Sequence, residues 1–298
     1  MRITVVSMGH TQEQAARIGA LVDDMVRFRE AVPVSVARNA GARTARGDED
    51  LLFFVDDDNV VSRHAARRLA AILRDKPAIV MVGPAQYYLR RPRRLWCAGV
   101  RRSPLFMRTF LETDIGRPVP DLAPSEDFPN CFMVRRRDFE AIRGFDEVWF
   151  PMHYEEADLA RRLMARARGR YAALVPHARV WHDITLSLTR RLHMRDASRA
   201  FECARGRAVF TARHGAWLQR FAYLCFGQWA YAAVYCGVAV YRMRRGALGP
   251  VVAYWRGMGS GLHVFWNAEA RAAPIGRWGV ARRHVRPDRA GPALTQQR

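Results

Sequence analysis

Residues 51–61 read LLFFVDDDNVV, and this stretch decides the fold class. Five apolar residues bounded by polar ones predict a buried strand of a parallel sheet. Open α/β sheets bind ligands at the carboxyl ends of such strands, where Asp56, Asp57 and Asp58 follow. Because side chains alternate along an extended chain, Asp56 and Asp58 share one side. Their spacing suits a hard divalent ion such as Mg²⁺ or Mn²⁺; the alternative is an acidic turn that caps the next helix.

The N-terminal two-thirds of the chain alternates between short apolar runs and amphipathic segments. This pattern predicts an α/β fold with a mostly parallel sheet and helices on both faces. The predicted strands cover residues 3–6, 32–36, 51–55, 78–82, 131–134, 172–175 and 178–181. Helices are predicted at 11–25, at 38–46 and from about Glu155 onward. Residues 84–129, rich in Pro and Arg, predict irregular hairpins and loops over one mouth of the sheet.

Charge and cysteine content restrict the partners and the compartment. The 298 residues carry a formal net charge of +21, nearly all of it from arginine, which favours anionic partners such as nucleotide diphosphates or lipid headgroups. Nucleic acid is disfavoured as a partner, because the sequence has no zinc-ligand spacing, no RNA-binding signature and no obvious recognition helix. Five scattered cysteines without metal or redox spacing predict reduced thiols in a cytosolic compartment.

Beyond about residue 190 the sequence predicts arginine-rich helices. Residues 221–241 are uncharged and are flanked by arginines on both sides. This segment is about long enough to span a bilayer, but a helix that lies in the membrane interface fits its Trp, Tyr and Arg content equally well. A buried amphipathic helix is the third alternative. We predict an α/β domain at 1–190, a basic, membrane-associating helical region at 191–281 and a disordered tail at 282–298.

A second acidic cluster, Glu155-Glu156-Ala157-Asp158, begins a predicted helix. Acids are favourable at a helix N-terminus, so simple capping is one interpretation. A positioned carboxylate can also take the proton of a sugar hydroxyl, while a metal on diphosphate oxygens stabilises the leaving group. His182, at the end of the last predicted strand, is either a structural histidine or a further metal ligand. An inverting glycosyl transfer needs this combination of a metal cluster and a separate carboxylate.

Four segments follow one another as in family 2 glycosyltransferases of the GT-A fold, which the chain resembles over roughly residues 1–270. The nearest likeness is to rhamnosyltransferase-like members. The segments are 51–61 (LLFFVDDDNVV), 130–147 (NCFMVRRRDFEAIRGFDE), 154–163 (YEEADLARRL) and 175–183 (VPHARVWHD). The resemblance implies a nucleotide-diphospho-sugar transferase with a Rossmann-like sheet, so that residues 1–190 are expected to form the GT-A domain.

The resemblance also implies a role for each motif residue. Glu156 is the implied catalytic base, with Glu155 as the alternative. The implied metal ligands are Asp58, Asp56 and His182. The positions on the donor side are Asp56, Asp57, Arg38 and Asn39, and those on the acceptor side are Asp158 and Trp149.

The chain departs from the family pattern near its beginning. Residues 3–11 (ITVVSMGHT) resemble the family's second strand, with Ser7 at the usual aspartate, so the first βα unit is expected to be absent. Loss of a central strand would expose an apolar sheet edge and remove contacts to the nucleobase.

The function implied is a metal-dependent, inverting glycosyltransferase. It would move a sugar from a nucleotide-diphosphate donor to a hydroxyl of a lipid-linked or cell-envelope polysaccharide acceptor. Its basic C-terminal part would hold it on the cytoplasmic side of the inner membrane. The alternative is a catalytically weak or inactive glycosyltransferase-like protein that binds membranes or partners.

Overall fold

The computed structural model describes residues 3–8, 24–28, 33–44, 51–56, 58–184, 196–242, 248–267, 271 and 288–289. The strands are β1 (Ile3–Met8), β2 (Asp24–Phe28), β3 (Leu51–Asp56), β4 (Asn59–Val61), β5 (Ile79–Tyr88), β6 (Arg91–Cys97), β7 (Val100–Arg102), β8 (Thr109–Leu111), β9 (Ala123–Ser125), β10 (Cys131–Arg135), β11 (Tyr171–His182) and β12 (Asp288–Arg289). The helices are α1 (Val34–Thr44), α2 (Arg63–Asp75), α3 (Arg136–Ala141), α4 (Glu155–Ala165), α5 (Ala197–His214), α6 (Trp217–Ala222), α7 (Gln228–Arg242) and α8 (Leu248–Trp266). A π-helical turn, Tyr223–Gly227, joins α6 to α7.

One mixed sheet organises the α/β part of the molecule. Its strand order is β12-β2-β1-β3-β10-β5-β11-β4, with β6 paired to β5 and β9 paired to β11. Strand β1 runs parallel to β2 and β3, and β5 runs parallel to β11. Strand β10 is inserted antiparallel between β3 and β5. The predicted α/β fold with a mixed, mostly parallel sheet is confirmed, and β10 places residue 130 beside the carboxyl end of β3.

The alternating side chains of β3 contribute to both faces of the core. Leu52 and Phe54 join the apolar cluster that lies under α1, α3 and α4. Leu51, Phe53 and Val55 join the cluster on the opposite face, against α2. Because helices cover the strand on both sides, its sequence is a continuous apolar run rather than an alternating one.

Three sequence-based assignments are wrong in detail. Helix α1 begins at Val34 and replaces the strand predicted at 32–36. The burial of α1 and the hydrogen bond from the Ser35 hydroxyl to the Phe150 carbonyl override the β-propensity of its valines. The helix predicted at 11–25 fails at its end, because Asp24–Phe28 is a strand; residues 11–23 lie outside the described ranges. The two strands predicted at 172–175 and 178–181 form the single bulged strand β11.

Strand β3 is paired along both of its edges, by β1 and by β10. The open apolar edge expected from a lost central strand is therefore not found beside β3. The alternative of a catalytically weak or inactive protein rested on the expected absence of the first βα unit, and it stays a prediction.

The C-terminal helices divide the segment 221–241 between α6, the π-helical turn and α7. Among the helices in the described ranges, none combines the length and the apolar content needed to cross a bilayer. Asp288–Arg289, within the tail predicted to be disordered, pairs antiparallel with β2. The rest of that tail lies outside the described residues.

Helix α8 packs closely against α5 at Gly257, where a Cβ atom would lie 2.2 Å from the carbonyl oxygen of Phe201. Gly257→Ala is expected to push the helices apart and to lower the free energy of unfolding by about 1–3 kcal/mol. Gly259→Ala is the matched control, because nothing lies within 4 Å of its Cβ position; it should be neutral or stabilising by about 0.5–1 kcal/mol. Urea denaturation measures both values, and equal effects at the two positions would contradict this packing.

Candidate active site

Asp58 and His182 meet at the carboxyl ends of β3 and β11. Pairing of β4 with β11 places Asn59 opposite His182, and the Asp183 amide donates to the Asp58 carbonyl oxygen at 2.7 Å. Nε2 of His182 lies 2.9 Å from Oδ2 of Asp58. The imidazole is buried against Trp96, and its Nδ1 has no hydrogen-bond partner among the described residues. Two of the three predicted metal ligands are therefore in direct contact.

Arg38 joins three of the predicted site acids, which come from different parts of the chain. Its guanidinium is fully buried and lies 2.9 Å from Asp56 Oδ1, 2.9 Å from Glu156 Oε1 and 3.4 Å from Glu155 Oε1. Two aromatic rings of the core flank the guanidinium carbon at 5.5 and 5.7 Å. The Arg38 charge is thus directed at the protein's own carboxylates, which it gathers at the end of β3.

Burial shifts the pKa values of these acids. It raises the pKa of Asp56 to about 6; Arg38 opposes this rise, and Glu156 and Asp58 add to it. Burial, followed by the charge of Glu156, also holds the pKa of Glu155 well above its usual range. Additional positive charge near these groups would favour their ionised forms.

Left-handed backbone conformations set the start of α4. His153 and Tyr154, directly before the helix, have φ angles of 66° and 65°. Such conformations cost about 1–3 kcal/mol each in residues other than glycine and cluster at functional sites. Asn130, with a φ of 54°, donates its backbone N–H to Glu156 Oε1 at 3.3 Å. The position of the Glu155-Glu156 pair is therefore fixed by strained backbone and by Arg38.

Asn39 is fully buried, and its side chain is hydrogen-bonded to residues of the turn after α3. Its side-chain amide donates to the Phe145 carbonyl and to the Glu147 carboxylate, both at 2.9 Å. Its side-chain oxygen accepts the Phe145 amide at 2.9 Å. Asn39 therefore holds the turn after α3, and its role on the donor side stays a prediction.

Asp158 and Trp149 were both predicted on the acceptor side. Asp158 is fully buried and contacts Arg162 at 2.7 Å and His214 at 2.8 Å. Burial favours its neutral form, but Arg162 and His214 outweigh this effect and lower the pKa of Asp158 to about 2. It ties α4 to α5 and is not open to an acceptor. Trp149 is half-buried against two arginines of α5, and Asp57 lies outside the described residues.

The sequence analysis missed Asn130 and Asp127 as members of the site. The Asn130 side chain contacts the amide of Asn59, which also reaches the Asp58 carboxylate and the Asp56 carbonyl. Asp127 is buried with Arg102 and interacts electrostatically with Glu156: burial raises the pKa of Asp127, Arg102 opposes the rise, and Glu156 adds to it. An Asn directly after Pro129 and before an apolar strand was the available signal, because Asn is enriched at positive φ.

The donor chemistry of Asp58 and His182 fits a divalent ion. Carboxylate oxygen and imidazole nitrogen both suit Mn²⁺-type ions. Because Nδ1 of His182 has no hydrogen-bond partner among the described residues, no contact at Nδ1 fixes the tautomer of the imidazole. Within the described residues, which omit Asp57, no three His, Cys, Asp or Glu side chains form a ligand cluster. A small number of protein ligands is typical of ions that also bind substrate phosphates.

A mixed sheet with acids gathered at the carboxyl ends of β3 and β11 defines the class: an α/β protein of the GT-A type. The chain belongs to the family described as Glycosyltransferase like family 2, whose family model matches residues 3–199. No curated protein matches it in sequence.

Solved structures with a similar fold include GalNAc-T7 with UDP, GalNAc and Mn²⁺. The alignment has a TM-score of 0.55 and 13% sequence identity, and it covers 75% of this chain and 50% of GalNAc-T7. The mannosyltransferase PcManGT from Pyrobaculum calidifontis, in complex with GDP-Man and Mn²⁺, aligns over 90% of this chain and 88% of its own, at 14% identity and a TM-score of 0.46. The likeness to GalNAc-T7 shows the GT-A fold, although this chain spans only about half the length of that protein.

Proposed function

We propose that the protein is a metal-dependent, inverting glycosyltransferase. It moves a hexose, in the manner of the rhamnosyltransferase-like members, from a nucleotide-diphosphate sugar to a hydroxyl of a lipid-linked or cell-envelope polysaccharide acceptor. Family membership supports the transferase class. The observation that carries the proposal is the set of contacts around Arg38, which brings Asp56, Glu155 and Glu156 into one cluster.

Glu156 is the proposed catalytic base. Its side chain is 16% exposed, against 7% for Glu155, so it is the more accessible of the two acids. It takes the proton of the acceptor hydroxyl, whose oxygen attacks the anomeric carbon from the face opposite the donor phosphate. The bond between the anomeric carbon and the phosphate oxygen breaks, and the nucleoside diphosphate leaves with the electron pair. Attack from the opposite face inverts the anomeric configuration.

Asp58 and His182 are the residues proposed to hold the metal, with Asp56 as the neighbouring carboxylate. When bound, Mg²⁺ or Mn²⁺ neutralises charge on the departing diphosphate. The presence of Mn²⁺ with UDP in GalNAc-T7 supports this choice of ion. Asp57 is proposed to contact the donor, while Arg38 positions the surrounding acids.

A panel of nucleotide sugars with Mn²⁺ tests the activity. We expect transfer or donor hydrolysis with at least one sugar, its loss with EDTA, and a decrease of about 10²-fold or more in Asp58→Ala. Asp75→Ala is the control, because this carboxylate is exposed at the end of α2 and should be dispensable. Activity that survives Asp58→Ala combined with Glu156→Ala would reject the residue assignment.

The proposed membrane surface consists of exposed apolar side chains on α6, the π-helical turn and α8. Trp217, Phe226 and Trp266 are 77, 62 and 79% exposed. Groups of large exposed apolar side chains mark interaction sites, and Trp together with Arg is typical of helices that lie in a membrane interface. We therefore propose that these helices attach the enzyme to the cytoplasmic side of the inner membrane, near a lipid-linked acceptor.

Sedimentation with anionic phospholipid vesicles tests this surface. Replacing Trp217 and Phe226 together by serine is expected to weaken the binding about tenfold or more, because each buried aromatic side chain contributes about 1.5–3 kcal/mol. Val148→Ser is the control, since Val148 is 56% exposed but belongs to the α/β part. Vesicle binding that is the same in the double variant and in the control would rule the surface out.

A further inference from the structure

Arg207, on α5, is surrounded by aromatic and thiol groups. Its Nε donates to the Tyr154 hydroxyl at 3.2 Å, and one Nη donates to the Tyr254 hydroxyl at 3.2 Å. The other Nη lies 3.7 Å from the sulfur of Cys203. The ring of Tyr231 stacks on the guanidinium, 3.7 Å from its carbon. Residues from the start of α4 and from α5, α7 and α8 thus converge on one positive charge.

The charge of Arg207 has no carboxylate partner in the part of the chain that the structure describes. Other buried arginines have one: Arg102 pairs with Asp127, and Arg213 pairs with Asp146. Burial raises the pKa values of three of its partners, Tyr231, Cys203 and Tyr254, the last to about 12, and so favours their neutral forms. Burying an unpaired charge is costly, and a bound anion would offset that cost.

The guanidinium also retains hydrogen-bonding capacity. Of its five N–H groups, three donate to the partners above, so two remain for oxygens of a ligand. Arg207, Tyr154 and Tyr231 each keep part of their surface exposed. Tyr154 directly precedes the Glu155-Glu156 pair, and Tyr254 lies on α8, which carries part of the proposed membrane surface.

We propose that Arg207, together with Tyr154, Tyr231 and Tyr254, binds a phosphate group of the acceptor. The two remaining N–H groups of the guanidinium can donate to the oxygens of a phosphate, and the tyrosine hydroxyls can donate to the other oxygens. The phosphate belongs either to a lipid headgroup or to a water-soluble phosphate ester. That the ligand is the acceptor rests on the proposed glycosyltransferase function, whereas the anion site itself does not depend on it.

Calorimetric titration of the full chain with inorganic pyrophosphate in EDTA tests the site without any transfer reaction. Arg207→Gln is expected to weaken the binding about tenfold or more, the scale of a lost charge-assisted hydrogen bond. Arg256→Gln removes an exposed arginine of α8 and should bind as the wild type does. Equal affinity of the wild type and Arg207→Gln overturns the proposal.

A second measurement uses the wild type alone and covers the case in which Arg207→Gln does not fold. Phenylglyoxal modification of Arg207, mapped by mass spectrometry, should be slowed by pyrophosphate, while modification of Arg256 should not change. Absence of protection at Arg207 contradicts the site.

Vesicles of phosphatidylcholine with and without phosphatidic acid identify the source of the phosphate. Binding that requires both phosphatidic acid and Arg207 assigns a lipid headgroup. Arg207-dependent binding of pyrophosphate alone assigns a water-soluble ester, and the absence of both overturns the proposal. If the wild type transfers no sugar from any nucleotide sugar but still binds pyrophosphate through Arg207, the proposed function is rejected and the anion site stands.

Discussion

Glu156→Gln is expected to lower the transfer rate by about 10²- to 10⁴-fold, the usual contribution of a general base. The glutamine oxygen can still accept from Arg38 and from the Asn130 amide, so the local geometry should persist. It cannot take the proton of the acceptor hydroxyl. The rate constant for transfer should therefore fall while the dissociation constant of the donor, measured by calorimetry, stays within a few-fold of the wild-type value.

Glu155→Gln and Glu140→Gln provide the comparison for Glu156. Glu155 is the less exposed member of the pair and should lose less activity. Glu140, which pairs with Arg136 on α3, should lose none. A larger loss in Glu155→Gln than in Glu156→Gln would move the role of base to Glu155.

Arg38→Met is expected to destabilise the fold by about 3–5 kcal/mol at neutral pH, because it leaves buried acids without their counter-charge. Urea denaturation measures this loss of unfolding free energy. Arg74→Met is the control, since Arg74 and Asp75 form an exposed pair that should contribute little. Similar stabilities of the two variants would show that Arg38 is not needed to hold the acids together.

The loss in Arg38→Met should depend on pH. Burial, followed by Glu156, holds the pKa of Glu155 above its ordinary value, while Arg38 opposes the rise. Glu155 in the folded protein therefore keeps a proton at a pH at which the unfolded chain has released it. The stability that this proton contributes is lost as pH rises through the folded-state pKa of Glu155. Without Arg38 that pKa rises further, so lowering the pH from about 8 to about 5 should restore part of the stability. A loss that grows on acidification would contradict this account.

The sequence was sufficient for features that depend on near neighbours. The apolar run 51–55 followed by acids predicted a buried strand with a polar carboxyl end, and β3 has both properties. The Glu155-Glu156 pair was correctly placed at a helix start. Segment 32–36 shows the limit of this reasoning, because the buried environment of α1 overrides the strand preference of its valines.

The sequence by itself determined that this chain has a GT-A-like sheet and which acids are present in its motifs, since both are encoded in short contiguous segments. Only the tertiary structure decided how those residues are used. Arg38 contacts acids 18, 117 and 118 positions away, Asn39 holds a turn 106 positions away, and Arg207 gathers tyrosines from three other segments. The physical reason is that burial and charge pairing depend on which distant side chains the packed helices and strands bring together, and no local pattern specifies those neighbours.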